Sequence, residues 1–361
     1  MRPEHSGEAA VTIDHPAWAA SLPTQGRHDG LPGVSPGAVC RLDPTRDEVR
    51  HLLSGASALV PLVGRGALRV TGADRVDFVQ GQVSHDVRGL ASGGVREALL
   101  LDHRGRPQAD LVMVRREHDL YLAVDDGRSA TVRAALDAHV VFDQVVIEAL
   151  DERLASFVLS GRDVLETLGQ TLGVERLPVS PELVLQVPWR GADVMLHARP
   201  RGLEASLDVH LLSEHLPPLW SLLEAAGAVV VGERALAAAR VAAGIAAAAA
   251  EGQEALPQES GLEPRVSYRK GCYLGQEIMA RVEARGSLRR SLARLTLAGA
   301  PEPGTAPVVE GSDGRVVGRV GTVAPTLEGG WSALAVVRNE IGGDQALRTL
   351  GRDARLAARP A

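Results

Sequence analysis

The residues best suited to chemistry lie between positions 268 and 277, around a single lysine. Lys270 opens the string Lys270-Gly271-Cys272-Tyr273-Leu274-Gly275-Gln276-Glu277. The chain holds 39 lysines and arginines and Lys270 is the one lysine, which leaves 38 arginines. A bias of this kind turns surface lysines into arginines wherever either will serve. A surviving lysine marks a place that needs a compact, flexible ammonium rather than a planar fork. Cys272, one of two cysteines, follows closely, and Tyr268 and Tyr273 are two of the three tyrosines. Rare residues clustered this tightly mark a site.

The local pattern says how such a site is held. Tyr268-Arg269-Lys270-Gly271 reads as a loop, with Gly271 permitting a backbone turn closed to other residues. From Gly275 the pattern becomes helical: Ile278, Met279 and Val282 share a face, and Gly286 supplies the stop. Glu277 and Arg281 form an i,i+4 pair, and Glu277 suits the positive end of the helix. Cys272 then precedes a helix N-terminus with an ammonium close by, and both favour a thiolate. Such a thiolate can act as a nucleophile, as a redox-sensitive group or as one ligand of a shared metal centre. The plainer alternative is a small side chain filling a packed turn.

The elements that must position this string form a mixed series. Residues 1–45 are rich in Pro, Gly, His and Ser and read as a loosely ordered leader. It contributes a first strand near Ala38–Leu42, with Cys40 as an inert filler. Strands follow at Leu59–Val63 and Ala67–Val70, then a helix over Ala73–Gln80. Glu97–Leu101 and Leu111–Val114 are strands joined by the turn-rich Asp102–Arg106, and Leu120–Val124 is another strand. A helix over Arg128–Ala138 and a strand at Val145–Glu148 complete this passage. A second passage runs Leu203–Leu211, Ser213–Ala226, Ala228–Val231 and Glu233–Ala243, with Ser213 as N-cap and Gly244 as the terminating glycine. The spacing lacks the even beat of a doubly wound sheet, so the class is α+β with mixed or antiparallel sheets. After Gly286, strands at Ser291–Leu297, Val308–Gly311, Val316–Val323 and Trp331–Val337 alternate in and out. The turns Ser312-Asp313-Gly314 and Gly329-Gly330 separate them. These form a small β-barrel or sandwich of about 70 residues. The expected division is a leader (1–45), a body (46–288) and a C-terminal barrel (289–361).

Composition excludes several functions. A net charge of −6 argues against a surface dedicated to nucleic-acid phosphates. Two cysteines build neither a disulfide framework nor a closed four-thiolate metal site. No apolar run approaches the roughly 18–20 residues of a membrane span, and no secretory signal opens the chain, so a cytoplasmic setting is expected. The histidines form no HxxxH or HExxH pair. The single lysine rules out a P-loop, and Gly64-Arg65-Gly66 has no third glycine at the dinucleotide spacing. Ser84, His85 and Asp86 are sequence neighbours, which does not make a triad.

Lys270–Glu277 resembles the KGCYxGQE signature of the YgfZ family of folate-binding proteins, relatives of the glycine-cleavage T-protein. Leu256-Pro257-Gln258-Glu259-Ser260-Gly261-Leu262 upstream, and Met279-Ala280-Arg281 with Arg285-Gly286 downstream, fit the same pattern. So do Thr71-Gly72-Ala73-Asp74 and Gln80-Gly81-Gln82-Val83-Ser84-His85-Asp86-Val87. The resemblance covers most of residues 55–345. It implies a T-protein-like α+β body with a C-terminal β-barrel around a central channel for tetrahydrofolate. It also implies a role in keeping iron–sulfur enzymes active, among them radical enzymes that modify tRNA. Its partners would then be iron–sulfur client or assembly proteins, without direct nucleic-acid or membrane binding, and the chain a monomer or weak dimer.

On this resemblance Cys272 is the reactive or ligating thiol, a transient ligand to a cluster with no permanently bound metal. Lys270 would tune it or bind an anionic folate tail. Asp110, in Gln108-Ala109-Asp110-Leu111, matches the carboxylate near folate N10. The T-protein has two adjacent acids there and this chain has Ala109-Asp110, which counts against aminomethyl transfer. Gln80, Gln82 and Asp86 offer the donors and acceptors of a pterin edge, although such groups also cap turns. Arg240 would reach a folate glutamate tail, and Glu259 would be a second anchor. The alternative function is a tetrahydrofolate-dependent aminomethyl or methyl transferase, or a demethylase, using Asp110. An RNA-binding module is disfavoured by the acidic balance and an aromatic content of 3%. The expected geometry is a folate-sized cavity beside residues 270–277, lined also by Gln82 and Asp110.

Overall fold

The computed structural model describes residues 46–62 and 64–360, with nothing stated for the Arg285 side chain. The leader, with Cys40 and the strand near Ala38–Leu42, lies outside the described residues.

The order is α1 (Arg46–Leu53), β1 (Ala58–Pro61), β2 (Gly66–Thr71), α2 (Arg75–Gln82), β3 (Val95–Leu101), β4 (Pro107–Arg115) and β5 (Leu120–Val124). Next come α3 (Ser129–Asp137), β6 (Val146–Ala149), β7 (Leu154–Ser160), α4 (Val164–Leu172), β8 (Leu185–Trp189), β9 (Ala192–Ala198) and β10 (Ser206–Leu212). Then follow α5 (Leu216–Ala225), β11 (Val229–Val230), α6 (Ala235–Ala243) and α7 (Gln276–Arg285). The last strands are β12 (Arg290–Leu297), β13 (Val308–Gly311), β14 (Val316–Pro325), β15 (Trp331–Arg338), β16 (Leu347–Thr349) and β17 (Arg352–Ala358).

Two sheets make the body: one ordered β3-β4-β5-β2-β6, the other β11-β1-β7-β10-β9-β8. The β1–β11 pairing is parallel and the other strand pairs are antiparallel. The C-terminal strands close an antiparallel barrel, β12-β15-β14-β13-β16-β17, as β17 returns to pair with β12. The fold is thus the expected α+β body with a barrel after it. Sequence patterning missed β7, α4, β8 and β9, and the barrel's two last strands.

Each sheet buries one face under helices. Val79, Val132 and Leu136 of α2 and α3 pack on Leu68, Leu111 and Leu122 of the first sheet. Trp220 and Leu223 of α5 and Leu168 of α4 pack on Phe157, Leu196 and Val209 of the second. The Phe157 and Trp220 rings meet edge to face with centroids 5.6 Å apart. Truncating Trp220 to Ala there would cost about 3–5 kcal/mol. The opposite faces meet through smaller groups, including Ala67, Val112, Ala123 and Met195. A third cluster ties α1, α6 and α7 to barrel residues Leu292, Ala324 and Leu334.

Helix ends follow local chemistry. Gly173 and Gly244 close α4 and α6 in the left-handed conformation that glycine adopts freely. Ser213 does not cap a long helix as expected. It begins a single 3-10 turn, Ser213–His215, and α5 starts at Leu216 with proline in its first turn. Among the described residues no helix is long and apolar enough to cross a membrane.

Candidate functional site

A cavity of 720 Å³ opens where the β1–β2 loop, the β5–α3 turn, the segment after β9 and the start of α6 converge. That volume is ordinary for a small-molecule site. Its wall includes Gly64, Arg65, Asp110, Asp125, Asp126, Arg199, Arg201, Glu233, Arg240 and Arg265. Gly64 lets two loops close on each other: its N–H reaches Glu233 at 3.3 Å, and its carbonyl accepts Gly127 N–H at 2.6 Å.

Charge in this wall is arranged as an alternating ladder. Arg65 donates to Asp208 at 2.5 Å and to Asp125 through Nε at 2.8 Å. Arg199 bridges Asp125 at 2.8 Å and Glu97 at 2.5 Å. Arg265 bridges Glu97 at 3.1 Å and Asp110, whose second oxygen accepts the Ala248 N–H at 2.6 Å. Arg201 grips Asp208 with two nitrogens, at 2.7 and 2.9 Å. Burial alone would raise Glu97, Asp125 and Asp208. For Glu97, Arg199 and Arg265 outweigh it and hold the group down to about 2. Asp125 and Asp208 are held well below the usual carboxylate range for the same reason, by Arg199, Arg65 and Arg201.

Of the wall acids outside the ladder, two behave oppositely. Burial, reinforced by Asp125 and Asp126, pushes Glu233 up to about 7 against the Gly64 N–H. Asp126, at the cavity mouth with φ of +60°, is pushed up to about 6 by desolvation and by Asp125 and Asp110. One wall therefore holds fixed anions beside carboxyls that titrate near neutrality, the pattern by which sites separate acid from base roles.

The Lys270 string lies elsewhere. Lys270 is buried, and its ammonium donates to the carbonyls of Gln80 and Val83 at 2.5 Å and of His85 at 3.2 Å. These carbonyls close the C-terminal end of α2, where a cation is favoured. The Tyr273 ring lies 4.8 Å from the same nitrogen. Burial pushes Lys270 down to about 8. Its three hydrogen bonds go to main chain, so the expectation that it serves the Cys272 thiol or a folate tail gives way to a helix-closing role. Cys272 is exposed, and neither it nor Lys270 is in the cavity wall. The cavity expected beside residues 270–277 opens instead under Asp110.

The glycines of the string divide. Gly275 has φ of +84°, and a Cβ there would meet Asp102 O at 2.8 Å and Gly105 Cα at 3.1 Å. It is the residue that lets α7 dock on the β3–β4 hairpin. Gly271, expected to need a glycine-specific turn, has no positive φ, and a Cβ there would meet open space. Gln276 opens α7, and Glu277 pairs with Arg281 at 2.7 Å on the exposed face. Such a pair adds little stability.

Of the remaining sequence candidates, Asp110 and Arg240 are in the wall. Arg240 is turned toward Ile245 O and the barrel's Thr322, at 2.8 and 2.9 Å, so its guanidinium ties the body to the barrel. Gln80 donates to Asp86 at 3.0 Å and accepts Val87 N–H at 2.7 Å, and Asp86 accepts Gly89 N–H at 3.0 Å. These are turn caps away from the wall, so the pterin-edge expectation for Gln80 and Asp86 is replaced by the turn role. Gln82, the last residue of α2, is likewise outside the wall. Glu259 holds Arg290 of β12 at 2.7 and 3.1 Å and joins body to barrel, which replaces its expected anchoring of folate. Sequence reasoning overlooked Arg65, Arg199, Arg201, Asp125, Asp126, Glu233 and Arg265. The one available signal was the doublet Arg199-Pro200-Arg201.

Behind the ladder, His197, Asp208 and His210 place possible metal-ligand atoms within 4.8 Å of one another. The set does not suit a cation. Both Asp208 oxygens already accept from arginines, and Arg199 stands 3.9 Å away. His210 shares Nδ1 with Ser156 at 2.8 Å, while neither buried ring nitrogen of His197 has a partner.

The likeness to known proteins agrees with this architecture. An aminomethyltransferase of Pelodictyon phaeoclathratiforme is 26% identical over 298 residues, 80% of this chain and 81% of that protein. One of Halalkalibacterium halodurans is 28% identical over 290 residues, covering 77% and 78%. The tRNA-modifying protein YgfZ of Yersinia pestis is 26% identical over 298 residues, covering 80% and 87%. The crystal structure of glycine cleavage system aminomethyltransferase T from Bartonella henselae superposes with a TM-score of 0.76 at 17% identity, over 87% of this chain and 88% of that one. Residues 41–270 match the family model of the GCVT N-terminal domain, and the chain belongs to that family.

Proposed function

We propose that this protein binds tetrahydrofolate in the 720 Å³ cavity and acts as a YgfZ-type accessory that supports iron–sulfur enzymes, including those that modify tRNA. The observation that carries the reading is that Asp110, which on the family resemblance matches the protein carboxylate near folate N10, stands in the wall of a cavity of ligand size. The donor set fits the ligand. Asp110 offers a carboxylate acceptor to ring N–H groups, and Glu233 an acceptor or, pushed up to about 7, a protonated donor. Arg234, exposed at the rim, carries a guanidinium of the kind that suits a glutamate carboxylate. Bound folate would supply one-carbon chemistry; this chain would bind and orient it. Calorimetric titration with tetrahydrofolate should give one site per chain, weakened at least tenfold in Asp110→Asn. No heat of binding at millimolar ligand would refute the reading.

Cys272 supports the accessory role because it is exposed on the surface, outside the cavity, where a partner can reach it. Cys272→Ala should lose rescue of a strain lacking its YgfZ-type protein while keeping folate affinity. Full rescue would remove the thiol from the function. A second reading, folate-dependent aminomethyl or methyl transfer, draws on the aminomethyltransferases among the relatives and on Asp110 facing the cavity. Turnover with N-methyl or aminomethyl donors that is lost in Asp110→Asn would favour it.

A further inference from the structure

The cavity and the exposed thiol lie at opposite ends of one short segment, residues 265–272. At the inner end the Arg265 side chain stands in the cavity wall, ion-paired with Asp110 and Glu97. Its own carbonyl accepts the Ser84 hydroxyl at 2.6 Å. Ser84 is fully buried, accepts the Leu99 N–H on its hydroxyl at 2.8 Å and the Ser267 N–H on its carbonyl at 2.9 Å. Lys270 then grips the carbonyls on either side, those of Val83 and His85. Cys272 follows two residues later, exposed. The segment is thus sewn to residues 80–85 by directional polar contacts along its length, with a cavity charge at one end and a free thiol at the other.

We propose that Arg265 is the positioning residue of Asp110 and that it couples ligand occupancy of the cavity to the reactivity of Cys272. Both Asp110 oxygens are already engaged, one by Arg265 and one by Ala248 N–H. A ligand N–H arriving at Asp110 must share or displace the guanidinium. Arg265 then falls back on Glu97, which Arg199 also holds, and its main chain moves with it. The shift passes to Ser84, to the carbonyls flanking it and to the Lys270 cage. Contiguous hydrogen-bond and ion-pair networks are the physical carriers of such coupling. The result is a looser outer end and a faster thiol.

This inference rests on the cavity being the folate site, and the test separates the two. Alkylation of Cys272 by iodoacetamide is followed by mass spectrometry on the full chain, with and without saturating 5-formyltetrahydrofolate, while calorimetry reports binding. The rate should rise about fivefold on binding, the low end of usual coupling. In Ser84→Ala, which leaves the wall intact, the rise should fall below about twofold while ligand still binds. Should that variant not fold, exchange of the 267–273 amides in the unaltered protein should accelerate on binding instead. Binding without a change in alkylation rate, or a change that persists in Ser84→Ala, overturns the coupling alone. Absence of binding overturns the folate reading and this one with it.

Discussion

Replacing Lys270 by Met is expected to weaken the fold and, by loosening the segment that carries Cys272, to quicken the thiol rather than slow it. Methionine keeps the length of the stem and removes a nitrogen that serves three carbonyls at 2.5–3.2 Å. A buried carbonyl left without a donor costs roughly 1–3 kcal/mol, so the three together cost roughly 3–9 kcal/mol. Removing the charge also removes its burial penalty. The fall of Lys270 from 10.5 to about 8 puts that penalty at roughly 3 kcal/mol. Lost hydrogen bonds win, leaving a net destabilisation of about 3 kcal/mol. An unfolding entropy of about 2.1 cal/mol/K per residue, over a body of about 240 residues, converts this to a Tm lower by roughly 6 °C. Scanning calorimetry measures the shift, and iodoacetamide alkylation of Cys272 in the same variant should be faster than in the parent, as a loosened outer end requires. A variant that melts like the parent but has a slowed thiol would refute the helix-closing role and restore a lysine that serves the cysteine.

Glu233 is raised from 4.5 to about 7, so its contribution to stability is complete below pH 4.5 and is lost as pH rises through 7. Glu233→Gln should remove that loss and gain about 2 kcal/mol at pH 8 after allowance for partial exposure, with no gain at pH 4; equal melting at both values would contradict it. His197 is lowered from 6.5 to about 4, chiefly by burial, so its contribution to stability is complete above pH 6.5 and roughly 3 kcal/mol is lost as pH falls through 4. His197→Leu should flatten this acid limb in melts taken between pH 7 and 4. Gly275→Ala should cost roughly 2 kcal/mol or more, because the position is left-handed and a Cβ meets Asp102 O at 2.8 Å. A Tm equal to that of the parent would show that the hairpin can yield.

Among the elements that sequence patterning found, β12 alternates over Arg294–Leu297 and α6 ends on a glycine, while β1 and β5 are buried throughout and show as short apolar runs. β7 went unseen: six of its seven positions are buried, so it offers no alternation, and serines at Ser156 and Ser160 break the apolar run by which the equally buried β5 was read. The β8–β9 hairpin went unseen because its turn places Arg190 and Gly191 at φ of +50° and +86°, and arginine is not the residue that announces such a turn. At the site, Asp110 and Arg240 were legible only through likeness to a family. The ladder showed in the sequence only as the doublet Arg199-Pro200-Arg201. Arg65 meets Asp125 across 60 positions and Arg265 meets Glu97 across 168, and among 38 arginines nothing local separates a bridging one from a solvated one. The rarity of Lys270 correctly singled it out, but rarity speaks to shape and not to reactivity.

One geometric rule accounts for both the arginines of the cavity and the solitary lysine. Arg65 joins Asp125 to Asp208, Arg199 joins Glu97 to Asp125, and Arg265 joins Glu97 to Asp110. Each link asks one side chain to meet two carboxylates in different directions with separate nitrogens, which a rigid planar fork does and a point ammonium does poorly. The Lys270 cage asks the reverse, since three carbonyls converge on one nitrogen. Replacing lysine by arginine is therefore tolerated, even useful, throughout the ladder and refused at position 270. Each acid of the ladder is held by more than one arginine or by an arginine and a main-chain N–H, and Glu97, Asp125 and Asp208 are held down by those arginines. Asp126 and Glu233, outside it, are pushed up to about 6 and about 7, so a dependence of binding on pH near neutrality should follow their protons.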